Sequence, residues 1–410
     1  MTAMSTSSGM RTQVLVVGAG PVGLFAALRL REQGIDVRVI EQESEHRLHT
    51  FPVVLHAQSL RLLDDLGLSA ALFWRGRPIT RLAIYTEYER RAVLDLPKVR
   101  GIAPGLLTLP QDVLRRALAN ALMRLGVPIE YNLQLAGLEQ DARSVRGRLA
   151  QSEASRSPLS EASRRSGDAF EADYVIGADG YDSTVREAIG VGLRGHGSLT
   201  SYAFFDAPTL RAGREAQLTI SEDFANTVYP LQDGLSRFSF QLARSLNRVP
   251  DAELLRELVG SRLPWYGNEA TSCSWSGVAE FRRALVDSFG RGRVWLAGDA
   301  AHLTGPLGVQ SLNVGLDEAN ELGLRMADAL RHPERVAFGP DYDARRSLQW
   351  RELLGLEERA ALDGRAPDWT RRNLQRLISS LPASDGDLDD LLQQLRLSPI
   401  STHPDRSADA

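Results

Sequence analysis

Near the N-terminus, Val14-Leu-Val-Val17 runs directly into Gly18-Ala-Gly-Pro-Val-Gly23 and then into Leu24-Phe-Ala-Ala-Leu-Arg-Leu30 at helical spacing. A second apolar run, Ile35-Asp-Val-Arg-Val-Ile40, ends at Glu41, 18 residues beyond the last glycine. Strand, glycine turn, helix, strand and terminal acid make a βαβ unit, which calls for a parallel sheet covered by helices. Each part has a physical task. Gly18 permits the tight turn, the Ala19–Gly20 backbone lets a pyrophosphate approach, and Gly23 lets the helix sit close on the sheet. The helix N-terminus offers unpaired N–H groups and partial positive charge to a diphosphate. Glu41 stands where it accepts hydrogen bonds from a ribose 2′-OH. An acid there favours an adenosine without a 2′-phosphate, so FAD or NAD rather than NADP at this site.

A second junction of this kind lies late in the chain. Val294-Trp-Leu-Ala297 is a short buried strand, Asp299 marks its end, and a Gly/Pro loop through Pro306 and Gly308 leads to a helical pattern from Ser311 to Leu330. A strand end, an acid and a fresh helix N-terminus meet where open α/β sheets hold ligands. By itself this stretch reads equally well as an ordinary crossover with a structural Asp.

Between them the pattern changes. Ala57–Leu68 reads as a helix, and Arg81–Tyr85 with Ala92–Leu96 as a hairpin. Asp112 suits an N-cap for the amphipathic helix Val113–Leu125, which puts Gln111 at that helix's mouth. In residues 139–170, Ser152-Glu-Ala-Ser-Arg156 recurs as Ser160-Glu-Ala-Ser-Arg164; such a Ser/Arg/Glu-rich segment is expected to be an elongated, mobile hairpin loop. Tyr174–Ile176 is a strand, Gly177–Gly180 a turn, and Ser183 caps a short helix carrying Arg186. From Leu199 to Leu242 short alternating strands imply a mostly antiparallel sheet, and beyond Asp341 the pattern is helical and charged.

Of the 410 residues, 24% are charged and 43% hydrophobic, an ordinary soluble composition. A net charge of −4 without a basic block gives no nucleic-acid surface. The single Cys273 excludes a disulfide framework and a cysteine metal cluster and suits a reducing compartment, and seven scattered histidines show no ligand spacing. No apolar run approaches the ~18–20 residues of a membrane span. The expectation is a cytoplasmic enzyme, monomer or homodimer, with flexible tails at 1–10 and 401–410.

Three separated motifs, Gly18-x-Gly20-x-x-Gly23 with Glu41, Asp179-Gly180, and Gly298-Asp299, together resemble the FAD-dependent aromatic hydroxylases, the single-component group A flavoprotein monooxygenases. The likeness spans roughly residues 11–340. It implies an α/β fold: a Rossmann-like FAD domain (11–80, 100–195, 285–340) interleaved with a mostly antiparallel substrate-binding sheet (81–99, 196–284), followed by a helical region at 341–400. It implies that Gly18, Gly20 and Gly23 cradle the FAD diphosphate, Glu41 holds the ribose, Gln111 contacts the flavin side and Asp299 binds the ribityl chain. Pro306 would line the face where oxygen reacts, and the loop through Gly308 and Asn313 would reach the pyrimidine. Asp179 and Arg186 belong to a segment associated with FAD and with a transient NAD(P)H. The implied reaction uses NAD(P)H and O2 to hydroxylate an apolar aromatic or polycyclic molecule through a flavin C4a-hydroperoxide.

This chain departs from the family pattern at three places. Pro-Pro-x-Gly-Gly-Gln-Gly-x-Asn reads Gly305-Pro-Leu-Gly-Val-Gln-Ser-Leu-Asn313, Asp-Ala-x-Asn-Leu reads Glu318-Ala-Asn-Glu-Leu322, and Asp182 replaces a common basic residue. Val309 and Ser311 add bulk where backbone normally passes the ring. No residue stands out as a base for a phenolic substrate: His56, Tyr202, His196 and Tyr229 are weak candidates, each more readily read as a packed or solvent-tipped side chain, and His302 reads as structural. Tyr202, Phe204, Phe205, Phe224, Tyr229, Phe238 and Phe240 suit an aromatic substrate, although strand alternation lets only about half face one side. Epoxidation or Baeyer–Villiger chemistry on the same scaffold, a nicotinamide-only dehydrogenase, and a non-catalytic nucleotide-binding protein are the alternatives.

Overall fold

A computed structural model of the chain describes residues 10–44, 52–86, 88–98, 105–152, 168–209, 213–246, 249–267, 269–270, 272–334, 339–357 and 366–397. The first strand, Met10–Val17, pairs in parallel with Val37–Glu41 on one side and Ala169–Gly177 on the other. Ile129–Tyr131 and Val294–Leu296 extend the sheet outward, also in parallel. Val14, Leu15 and Val16 are fully buried, as befits a strand covered by helices on both faces. The order of strands reverses between Met10–Val17 and Ala169–Gly177, so a crevice opens beyond their C-terminal ends. Gly18 and Ala178 flank that crevice, and Ala297 leads into it from Val294–Leu296.

The glycine turn follows from close approach. Gly18 has φ of +107°, and a Cβ there would lie 2.2 Å from the Ala178 carbonyl oxygen. A Cβ on Gly23 would lie 2.1 Å from the Gly18 oxygen, so only glycine lets the Pro21–Glu32 helix rest on the turn. Pro21 opens that helix at a position whose N–H would be unpaired in any case.

The second sheet runs in the order His302–Leu303, Trp275–Val286, Leu193–Pro208, Leu235–Leu242, Ala225–Pro230, Glu215–Ile220, Arg81–Thr86, Glu89–Asp95. All neighbours are antiparallel except Glu215–Ile220 against Arg81–Thr86. On one face Ala203, Phe205, Phe238 and Phe240 form a core with Leu255, Leu258 and Val259 of helix Ala252–Arg262. On the other, Leu82, Ile84, Leu218, Ile220 and Tyr229 join the main core. Much of the aromatic content is therefore sheet core, set by alternation of side chains across the pleat.

Several boundaries differ from the sequence reading. The helix expected from Val113 starts at Gln111, with Pro110 as the preceding residue, so Asp112 lies in the first turn and favours the helix electrostatically without capping it. The helix expected over Ala57–Leu68 stops at Asp65, and a separate helix, Ser69–Arg75, follows Gly67 in left-handed conformation. In the 139–170 segment, Leu133–Gln140 and Val145–Gln151 form a hairpin on Ala169–Gly177; the repeated Ser-Glu-Ala-Ser-Arg motif falls almost wholly outside the described residues, as do residues 1–9 and 401–410. The C-terminal helices Gly339–Leu353, Leu374–Ser380 and Asp385–Gln394 are not peripheral, since Trp350, Leu377 and Leu392 are fully buried in the main core. Among the described residues no helix is long and apolar enough to cross a membrane, and no His/Cys/Asp/Glu cluster suits a metal.

Candidate active site

Along the C-terminal edge of the parallel sheet runs a trough made of three cavities that share Gly20. The largest, about 730 Å³, is bounded by Gly20, Gln111, Asp299 and Pro306 on the nucleotide side and by Leu199, Phe281 and Arg282 of the second sheet on the other. The two smaller ones, about 200 and 160 Å³, meet Glu41 from either side. A Cβ on Gly20 would touch nothing within 4 Å, so this backbone faces open trough rather than protein. That is what a diphosphate cradle at a helix N-terminus requires.

Glu41 closes the turn against the second strand. Its Oε2 accepts from the Ala19 amide at 2.7 Å and its Oε1 from the Glu43 amide at 2.9 Å, which leaves lone pairs on both oxygens for a ribose. Gln111 lies in both the large cavity and one of the small ones, with no hydrogen-bond partner among the described residues. Asp299 sits on the short turn after Val294–Leu296 and is exposed into the large cavity. Gln310–Arg331, the long helix, begins beside it, with Ser311 and Leu312 lining the same wall. Pro306 lines the cavity as well.

Other expected site residues are committed to the protein. Asn313 is buried: its Oδ1 accepts from the His56 amide and Ser59 Oγ, and its Nδ2 donates to the Val54 and Val309 carbonyls at 2.8 Å each. With its amide fully used, this side chain staples the long helix to residues 54–59 and does not face the trough. A Cβ on Gly308 would lie 2.7 Å from the Ser379 oxygen, so this glycine is required by the C-terminal segment and does not line the cavity. Arg186 donates to the carbonyls of Ala300 and Tyr181 and thereby ties the Asp179–Gly180 turn to the Asp299 turn. Asp179 borders a small cavity, yet its carboxylate accepts from Ser183 Oγ, Thr184 Oγ1 and the Val185 amide, and so caps the helix Thr184–Ala188. Asp182 is exposed.

The weak candidates for a base do not reach the cavity. Burial pushes His56 down to about 3, so its ring is neutral, and the Gly308 carbonyl 2.9 Å from Nε2 fixes the proton on that nitrogen. Burial pushes the Tyr202 and Tyr229 phenols up. Tyr202 packs edge-on against Phe281, and Tyr229 donates to the Leu307 carbonyl at 3.2 Å, bracing the Pro306 loop from below. Phe281 and Leu199 carry the apolar wall that the sequence reading assigned to other aromatics. Their strand neighbours gave no signal, because pairing of Thr200 with Phe281 across a register shift decides which residues turn inward.

Beneath the Asp299 turn lies a network with no counterpart in the sequence reading beyond the structural expectation for His302. Glu318 is fully buried and accepts from His302 Nε2, the Gly298 amide and Trp350 Nε1. Burial alone would raise its pKa; His302, Arg346 and the Gly298 amide outweigh that and hold the carboxyl below its ordinary value.

Residues 11–354 match the family model described as FAD binding domain. Rifampicin monooxygenase of Rhodococcus hoagii is 26% identical over 353 residues, covering 82% of this chain and 68% of that protein. The 6-methylpretetramide 4-monooxygenase of Streptomyces rimosus is 27% identical over 343 residues, covering 82% of this chain and 59% of that protein. The chain thus spans roughly two thirds of the length of such relatives. The crystal structure of p-nitrophenol 4-monooxygenase from Pseudomonas putida shares the fold, with a TM-score of 0.71, 22% identity and coverage of 95% of this chain and 100% of that one. A family match over most of the chain, on a trough whose glycines face it as a dinucleotide demands, leaves one assignment: the chain belongs to the FAD-binding-domain family of aromatic monooxygenases, and its cofactor is FAD.

Proposed function

We propose that this protein is a monooxygenase that uses NAD(P)H and O2 to hydroxylate an apolar aromatic or polycyclic small molecule. The observation that carries this reading is the 730 Å³ cavity, because it joins the Asp299–Pro306 edge of the nucleotide fold to the apolar wall of the second sheet. A volume of this size suits a small-molecule site that holds a ring system and a substrate side by side. The division into an FAD-binding part and a substrate sheet, with a helical C-terminal region, belongs to the same proposal.

Bound FAD supplies the redox chemistry, accepting a hydride and activating oxygen. The chain's own residues orient and enclose. Gly18, Ala19 and Gly20 with the Pro21–Glu32 helix N-terminus hold the diphosphate, Gly23 lets that helix rest on the turn, and Glu41 holds the ribose, Gln111 the flavin side and Asp299 the ribityl hydroxyls. The N-terminus of Gln310–Arg331 favours negative charge on the ring by roughly 0.3–1 kcal/mol. Pro306, fixed by the Tyr229–Leu307 hydrogen bond, borders the reacting face. Leu199, Phe281, Val53 and Leu312 line the cavity with apolar surface, which keeps water from the reacting atoms. Asn313 and Gly308 contribute only by shaping the loop. His56, Tyr202 and Tyr229 contribute no base, because none of them lines the cavity.

The test is a panel of phenols, quinone-like compounds and polycyclic aromatics, followed by NAD(P)H consumption and product mass. Substrate-stimulated oxidation with a product heavier by one oxygen atom supports hydroxylation. Stimulation by none of the panel, from a protein loaded with FAD, would remove the reading and leave only the family.

A further inference from the structure

Ser311 Oγ donates to Asp299 Oδ1 at 2.7 Å, and both residues line the large cavity. Asp299 comes from the turn after Val294–Leu296, whereas Ser311 is the second residue of Gln310–Arg331, so the bond spans two elements. Asp299 Oδ2 has no partner among the described residues, and the residue is exposed into the cavity. A hydroxyl that donates to a carboxylate makes a short, charge-assisted hydrogen bond and fixes the carboxylate plane. Asp299 also stands at a helix N-terminus, where partial positive charge holds it.

We propose that Ser311 is a positioning residue for the cofactor: its hydroxyl locks one oxygen of Asp299 before FAD arrives and leaves the other to accept from a ribityl hydroxyl. The proposal rests on the reading that Asp299 binds the ribityl chain. A glycine at 311 has no hydroxyl, so Asp299 would then be ordered by the cofactor itself, at the entropic cost of freezing a side chain that is otherwise mobile. The serine moves that ordering into the cofactor-free protein. Val309, which precedes the first turn of the helix, packs on the core and also lines the cavity wall.

The experiment titrates FAD into cofactor-free protein and follows quenching of flavin fluorescence, alongside the visible flavin band and the melting temperature without FAD. Ser311→Ala and Ser311→Gly should weaken FAD binding by about three- to tenfold with little change in the melting temperature of the cofactor-free protein. Ser311→Thr, which keeps the hydroxyl, should restore binding. In an Asp299→Asn background, Ser311→Ala should have a smaller effect, because the charged partner of the hydroxyl is gone. Unchanged affinity and an unchanged flavin band in Ser311→Ala would overturn the proposal. So would an undiminished loss in the Asp299→Asn background, which would make Ser311 a direct FAD ligand. Asp299→Ala that binds FAD as tightly as the unaltered protein would instead remove the ribityl role of Asp299, and this proposal with it.

Discussion

His302 Nε2 donates to Glu318 Oε2 across 2.8 Å, and neither side chain reaches solvent. The same carboxylate accepts the Gly298 amide and the Trp350 indole, while Trp350 stacks on the His302 ring at 3.7 Å between centroids. The Asp299 turn, the His302–Leu303 strand and the Gly339–Leu353 helix thus meet on one buried carboxylate of the long helix. Removing one partner strands the others. Glu318→Ala should cost about 3–5 kcal/mol in denaturant melts. Glu318→Ala combined with His302→Ala should cost less than the sum of the two single changes. Strict additivity would show that the pair carries no coupling.

Acid lability should follow from His56. The unfolded chain takes up this proton near the ordinary value of 6.5, the folded chain only near about 3. Between those values the unfolded state binds more protons, so stability falls on acidification, with a slope approaching ~1.4 kcal/mol per pH unit. His56→Gln keeps a donor for the Gly308 carbonyl and does not titrate. Melting curves from about pH 7 to about pH 4 should therefore fall less steeply for this variant; parallel curves would refute the account.

Val309 has φ of +50° and ψ of +37°, a left-handed conformation that a β-branched residue adopts at a cost of roughly 1–2 kcal/mol. Its side chain packs on the core and lines the cavity, which offsets that cost. Val309→Ala loses the packing and keeps most of the strain, whereas Val309→Gly loses both. The glycine variant should be the more stable of the two by about 1 kcal/mol, as read from thermal unfolding. The opposite order would mean that the strain is not borne at this residue.

Gly20 and Gly23 should respond differently to the same change. Gly20 has φ of −68° and open space at its Cβ, so Gly20→Ala should alter cofactor-free stability by less than ~1 kcal/mol while weakening FAD binding. Gly23→Ala places a methyl on the Gly18 carbonyl and should destabilise the fold by about 1–3 kcal/mol or more, with or without cofactor. Comparing melting temperature with flavin affinity for the two variants separates cradle from packing.

The sequence by itself determined the parts whose logic is local. The Gly18–Gly23 turn, the strand ending at Glu41 and the Ser183 cap of Thr184–Ala188 are decided by steric rules acting over a few residues, and Ser183 Oγ accepts the Arg186 amide as that pattern requires. Period-two alternation likewise announced a sheet between residues 199 and 242. Which side chains then face the trough was decided only by tertiary contact. Asn313 and His56 are turned inward by partners more than 250 positions away, Gly308 by the C-terminal segment, and Arg186 by the Ala300 carbonyl. Gln310, the first residue of the long helix, is drawn to the carbonyls of Leu381 and Ala383. A polar residue at a motif position has two ways to satisfy its hydrogen bonds, a ligand or a distant backbone. The choice depends on which chain segment folds back against it, and short-range spacing carries no record of that.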